Sequence, residues 1–129
     1  MTNVDVIRNL YAAFARKDDG AIRELFDPAI EWNQMEGFPG GGRHVGPEAV
    51  FRDVFGKFRD EWTVWKAPVD EVLDAGDAVI VVGSYEGTHA KNGRSFRAPF
   101  AHLYRLKHGR IVRFDQYTDT RLIADAMGL

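Results

Sequence analysis

Near residue 61 the hydrophobic pattern of this chain changes its period, and that change sets the layout of the fold. Before it, apolar residues recur at helical spacing: Val4, Ile7, Leu10, Tyr11 and Phe14 form one stripe, and Thr2 or Asn3 stands where a cap is needed. Lys17-Asp18-Asp19-Gly20 interrupts the stripe. Asp19 is expected to cap a second helix that buries Ile22, Leu25 and Phe26 and stops at Asp27-Pro28. A short strand over Ala29 to Asn33 and a glycine-rich loop from Gly37 to Gly46 follow. Pro47 then opens a third helix with the stripe Val50, Phe51, Val54, Phe55 and Phe58.

From Glu61 onward the spacing is that of strands. Trp62 to Leu73 is the first, with Pro68 implying a bulge or an edge. Ala78 to His89, Ser95 to Leu106 and Arg110 to Thr118 complete a four-stranded meander, with Asn92-Gly93 marking one hairpin and His108-Gly109 another. Thr120 to Met127 reads as a terminal helix. Helices first and an antiparallel sheet afterwards describe an α+β fold. Ala78 to Val82 is apolar at consecutive positions, which predicts cover on both faces, by helices on one side and a second subunit on the other.

Composition narrows the function classes. At 129 residues the chain is read as one domain, 1–129, with a net charge of −2 that offers no basic field for a nucleic-acid backbone. Cysteine is absent, which removes disulfides, thiol nucleophiles and thiolate metal sites. The four histidines lack metal-ligand spacing, so no metal and no cofactor is expected. No apolar run approaches a membrane span and the N-terminus lacks signal-peptide character, so the expectation is a cytoplasmic protein without a membrane partner.

The order of elements, with Asp18-Asp19-Gly20-Ala21-Ile22-Arg23-Glu24-Leu25-Phe26 and later Ala98-Pro99-Phe100-Ala101-His102, resembles the nuclear-transport-factor-2-like superfamily over nearly the whole chain. Within it the chain is similar to the SnoaL-like and ketosteroid-isomerase-like branch. The resemblance implies a cone: a curved, mainly antiparallel sheet wrapped round the N-terminal helices, enclosing an apolar pocket, as a homodimer. It does not carry over the isomerase chemistry. The positions similar to that enzyme's aspartate base, first-helix tyrosine and protonated aspartate fall at Trp32, near Leu10 and at Ala101, so no steroid isomerase activity is expected. Polyketide cyclases of the SnoaL-like group carry a histidine and an aspartate on the last two strands. Here His102 matches the histidine, and the aspartate falls near Gln116, with Asp115 adjacent.

Counting outward from a His108-Gly109 turn pairs Lys107 with Arg110, His102 with Asp115, Ala101 with Gln116 and Phe100 with Tyr117. Two readings of His102 and Asp115 stand: a general-base pair, or a cross-strand polar pair on the outer face or at a dimer interface. Asp119 either joins them as a catalytic residue or caps the terminal helix. On this count Phe114, Gln116 and Thr118 share a face with Ala101 and Leu103, and the resemblance turns that face to the pocket. The expected ligand-binding set is Trp32, Phe51, Phe55, Phe114, Gln116 and Tyr117, with the loop at Gly37 to Gly46 as a flap. Two functions follow. One is acid–base isomerisation, cyclisation or hydration of a small apolar molecule by His102 with Asp115. The other is non-catalytic carriage or sensing of such a molecule, which needs only a dry cavity and an anchor such as Gln116.

Overall fold

The computed structural model describes residues 1–129. Helix α1 (Asn3–Arg16) begins in a capping box, in which Asp5 N–H donates to the Thr2 hydroxyl and Thr2 N–H donates to the Asp5 carboxylate. It buries Val6, Ile7, Leu10 and Ala13, while Tyr11 and Phe14 pack against the same core from its edge. Asp18, and not Asp19, caps α2 (Asp19–Leu25): its carboxylate accepts from Ala21 N–H. Asp19 instead takes both ends of the Arg59 guanidinium. Strand β1 (Phe26–Gln34) starts directly after α2, earlier than expected, and Pro28 lies where its pairing is irregular and a missing N–H is tolerated. Part of the expected loop is a strand: β2 (Gly42–Val45) turns back onto β1, with His44 opposite Trp32. The loop itself is confined to residues 35–41.

Helix α3 (Pro47–Val50), a π-helical turn (Phe51–Phe55) and α4 (Gly56–Glu61) follow without a break. Gly56 N–H reaches back five residues to the Phe51 carbonyl. The segment packs an aromatic cluster in which the Phe55 ring centroid lies 5.1 Å from Phe51, 5.4 Å from Trp32 and 5.5 Å from Phe14.

The expected strand Trp62 to Leu73 is two strands, β3 (Trp62–Lys66) and β4 (Val69–Asp74), parted at Ala67-Pro68 and both paired with β5 (Ala78–His89). The Pro68 carbonyl accepts from Ser84 N–H, at 3.1 Å, and approaches β5 at Gly83, where a side chain would collide with it. Strands β6 (Ser95–Lys107) and β7 (Arg110–Thr118) and helix α5 (Thr120–Ala126) complete the chain. The sheet runs β2-β1-β7-β6-β5-β3, with β1 and β7 parallel and every other pair antiparallel. No helix is long and apolar enough to cross a membrane.

The last hairpin corrects the count made from its turn. His108 and Gly109 both have positive φ, at 53° and 75°, and Lys107 does pair with Arg110. Between Leu106 and Arg105, however, the register shifts: Leu106 pairs with Ile111, but Arg105 pairs with Arg113. Val112 is thus an extra residue, a β-bulge, and every later pair moves by one. His102 lies opposite Gln116, Leu103 opposite Asp115, Ala101 opposite Tyr117 and Phe100 opposite Thr118. A shift of one residue exchanges faces. His102, Tyr104, Phe114 and Gln116 therefore share the inner, helix-covered face; Ala101, Leu103, Asp115 and Tyr117 share the outer one.

Candidate functional site

The inner face carries a polar chain inside an aromatic shell. Val79 and Val81 are fully buried, and the alternation along β5 brings Tyr85 to the same side. On β6 the same alternation delivers Phe100, His102 and Tyr104; on β7 it delivers Phe114 and Gln116. Helix α1 adds Tyr11 from above. His102 sits between two phenols: Tyr11 Oη lies 2.5 Å from Nδ1 and Tyr85 Oη lies 2.5 Å from Nε2. Tyr11 Oη also lies 2.8 Å from Tyr104 Oη. At the other end Gln116 Nε2 donates to Tyr85 Oη at 2.9 Å, and Gln116 Oε1 accepts from Met35 N–H at 3.0 Å. One chain of contacts thus runs from the Met35 backbone, at the start of the loop over residues 35–41, to Tyr104 at the centre of the core.

Electrostatically the cluster is neutral. The buried polar residues of the molecule are Gln34, His89, His102 and Gln116, none of them acidic. Burial pushes the His102 imidazole down to about 3 and pushes the phenols of Tyr11, Tyr85 and Tyr104 upward. The imidazole is accordingly uncharged at neutral pH, with one nitrogen donating and the other accepting. Aromatic rings surround it: Phe100 stacks on His102 at 3.8 Å, Phe114 meets it edge-on at 4.9 Å, and Trp65 covers Tyr85 at 5.0 Å. The arrangement combines apolar rings with neutral hydrogen-bonding groups, a phenol or amide at each step. It offers no carboxylate for a cation.

Of the expected catalytic residues, only His102 reaches this cluster. Asp115 lies on the outer face, and the Val112 bulge sets His102 opposite Gln116 on the inner one, so the expected His102–Asp115 pair does not form. Its carboxylate instead accepts from Arg113 at 2.9 Å and from Asn33 at 3.0 Å, within a belt that also contains Glu31 and Arg43. Asn33 donates to Glu31 as well, and that hydrogen bond, ahead of the two arginines, lowers the Glu31 carboxyl from its usual range. Asp119 caps α5 by accepting from Leu122 N–H, which leaves it no part in the His102 cluster.

Of the expected ligand-binding residues, Trp32, Phe55, Phe114 and Gln116 are buried on the inner side and Phe51 packs against that core. Tyr117 is the exception: it is 50% exposed on the outer face, where strand alternation puts it once Phe114 and Gln116 face inward. Gln116 faces inward, but together with His102 and not with Ala101. The sequence reading missed Tyr85 and Tyr104 as members of a site and placed Tyr11 only in the apolar stripe of the first helix. The parity of β5 against its aliphatic start would have found Tyr85, and the spacing of two from His102 would have found Tyr104. No local pattern links Tyr11 to them.

An open hollow of about 380 Å³ lies beside the loop, lined by Asn33, Gln34, Glu36, Phe38 and Arg43 among others. Phe38 is its boundary with the interior. This residue is buried, and its ring lies 6.2 Å from Trp65 and 6.5 Å from Tyr85. The Tyr85 end of the polar chain is therefore the end nearest the loop and the hollow.

A family profile described as SnoaL-like domain matches residues 7–114. Among solved structures, an NTF2-like protein from Burkholderia thailandensis E264 is 41% identical, with a TM-score of 0.95 and 98% of each chain covered. An NTF2-like protein of unknown function from Burkholderia pseudomallei K96243 is 26% identical, with a TM-score of 0.91 over 100% of both chains. IdmH from Streptomyces antibioticus, provisionally classed as a polyketide cyclase, is 23% identical, with a TM-score of 0.80 over 100% of both chains. A comparison with curated proteins returned no match.

Proposed function

As the chain belongs to the SnoaL-like domain family, of NTF2-like fold, we propose that it binds a small apolar molecule between its sheet and helices, with the Tyr11–His102–Tyr85–Gln116 chain as polar anchor. The observation that carries this reading is the neutral, donor-rich cluster buried among aromatic rings. Buried polar groups without charge cost several kcal/mol less to keep dry than ionised ones, and a ligand oxygen can complete their hydrogen bonds. Trp32, Phe55 and Phe114 supply apolar wall, and the loop over residues 35–41 is the route of entry.

Catalysis is the second reading, favoured by the fold shared with IdmH, provisionally classed as a polyketide cyclase. In this chain it would rest on His102 and its phenols, with Asp115 and Asp119 outside the site. A neutral phenol stabilises oxygen charge that develops during isomerisation or cyclisation. An imidazole held near 3 is a weak base, so the cluster serves better as a donor than as a proton acceptor.

We also propose that the outer face is a homodimer interface. Leu73, Tyr117 and Val45 are exposed there, and Ile80, Val82, Ala101 and Leu103 lie half-buried between them. A second copy of the same face would cover this patch, with the Glu31–Arg113–Asp115 belt at its margin.

Native mass spectrometry of the protein mixed with 1-tetralone, a flat apolar ketone, tests the binding reading. A complex of one ketone per chain is expected. Its absence at a millimolar concentration of ketone would overturn the reading.

A further inference from the structure

Counting protons fixes more about this cluster than its distances do. The Met35 backbone N–H can only donate, so the Gln116 atom facing it is Oε1 and the amide nitrogen faces Tyr85. One lone pair of Tyr85 Oη is thereby occupied. The neutral His102 ring carries one N–H, and Tyr11, Tyr85 and Tyr104 each carry one O–H. Those four protons serve three contacts: Tyr85 with His102, His102 with Tyr11, and Tyr11 with Tyr104. One proton is surplus in every arrangement.

The histidine tautomer decides where the surplus lies. With the proton on Nδ1, Tyr85 donates to Nε2, Nδ1 donates to Tyr11, and the unused O–H belongs to Tyr11 or Tyr104. With the proton on Nε2, that nitrogen donates to Tyr85, Tyr11 donates to Nδ1, Tyr104 donates to Tyr11, and the unused O–H belongs to Tyr85. The two arrangements hold the same atoms and no net charge. Passing from one to the other moves one proton from Nδ1 to Nε2, while each phenol keeps its own proton and turns its O–H.

The two ends differ in access. Tyr104 is fully buried against Trp32, Phe114 and Tyr11. Tyr11 is half-buried, but its ring neighbours are Phe14, His102 and Tyr104, away from Phe38, and it does not line the hollow. Tyr85 lies under Trp65 and Phe38, and Phe38 is the boundary of the hollow beside the loop. We propose that Tyr85 is the residue that donates a hydrogen bond to the ligand's oxygen, and that binding holds His102 as its Nε2–H tautomer. The ligand class is an apolar molecule with an acceptor oxygen, for which 1-tetralone is the probe. This rests on the small-molecule reading above and deepens it. Neutrality of the cluster supports it, since burial keeps His102 unprotonated. Gln116 is the positioning residue: it orients Tyr85 and ties it to the loop backbone.

The test is ¹⁵N NMR of His102 with 1-tetralone and with tetralin, which has the same shape without the carbonyl. Saturation transfer to each probe reports binding separately. In the 1-tetralone complex Nδ1 should carry the shift of an unprotonated nitrogen and Nε2 that of a protonated one. A bound ketone with Nδ1 protonated overturns the tautomer assignment alone. A ketone that does not bind overturns the small-molecule reading and the inference with it. Tyr85→Phe should weaken 1-tetralone binding about five- to tenfold, the scale of one neutral hydrogen bond, and leave tetralin binding unchanged. Tyr104→Phe should leave the ratio of the two affinities as it is in the wild type. An equal fall of that ratio in the two variants would mean that the phenols only support the fold, and would overturn the role of Tyr85.

Discussion

His102 is a histidine that the fold keeps from being charged. Its ring nitrogens face Tyr11 and Tyr85, Tyr104 stands behind Tyr11, and none of these phenols carries charge at neutral pH. Burial sets its pKa at about 3 in the folded chain, against an ordinary value near 6.5 when unfolded. Between those values the unfolded chain binds a proton that the folded chain refuses. Stability is therefore intact above about pH 6.5 and is lost as pH falls below it, at a slope approaching about 1.4 kcal/mol per pH unit from this one residue. Denaturant unfolding of wild type and of His102→Asn near pH 7 and near pH 5 measures it. The wild type should lose stability over that interval by about 2 kcal/mol more than the variant. Equal losses would mean that His102 accepts its proton in the folded state. The carboxyls lowered by their neighbours, Asp5, Asp18, Asp19, Glu31 and Asp53, titrate below this window and affect both proteins alike.

Two irregular elements decide what the regular ones present. The Val112 bulge selects which face of the last hairpin receives His102, and the break at Ala67-Pro68 lets β3 and β4 share β5. The break depends on a glycine. A Cβ at Gly83 would collide with the Pro68 carbonyl and come within 2.8 Å of the Phe100 ring. Gly83→Ala should cost about 1–3 kcal/mol in chemical denaturation, as overpacking does. Gly20→Ala is the control: its nearest contact is 3.7 Å, inside α2, so it should be neutral or stabilising by up to about 1 kcal/mol. A Gly83→Ala protein as stable as the control would show that Pro68 can move away.

These irregularities also mark how far the sequence could be read. Hydrophobic period, Asn92-Gly93 and His108-Gly109 place the strands because turn chemistry and alternation are local. A bulge is not local. Val112 looks like any other strand residue, and its extra position appears only in the paired ladder, where Leu106 meets Ile111 but Arg105 meets Arg113. Hence His102, Gln116, Trp32 and Phe114 could each be picked out singly, while the partnership of His102 was assigned to Asp115. The π-helical turn at Phe51–Phe55 and the reach of Tyr11 from α1 to a residue 91 positions away depend on tertiary packing, which no window of the chain contains.

At the scale of the whole molecule, the sheet divides two tasks. Its inner face holds the neutral cluster and its aromatic shell; its outer face holds an apolar patch bordered by paired charges. Leu103→Asp places a carboxylate in the centre of that patch, opposite Asp115. Sedimentation should then find monomer for the variant and dimer for the wild type at micromolar concentration; monomer for both would remove the interface. The central claim is that the interior recognises an acceptor oxygen by neutral donors. Calorimetric titration of the wild type with 1-tetralone and with tetralin, between about pH 6 and pH 9, tests it most directly, since no group in the cluster changes charge there. We expect the ketone to bind about five- to tenfold more tightly than the hydrocarbon at every pH in that range. Equal affinity for the two, or a preference that rises and falls with a midpoint inside the range, would contradict the account.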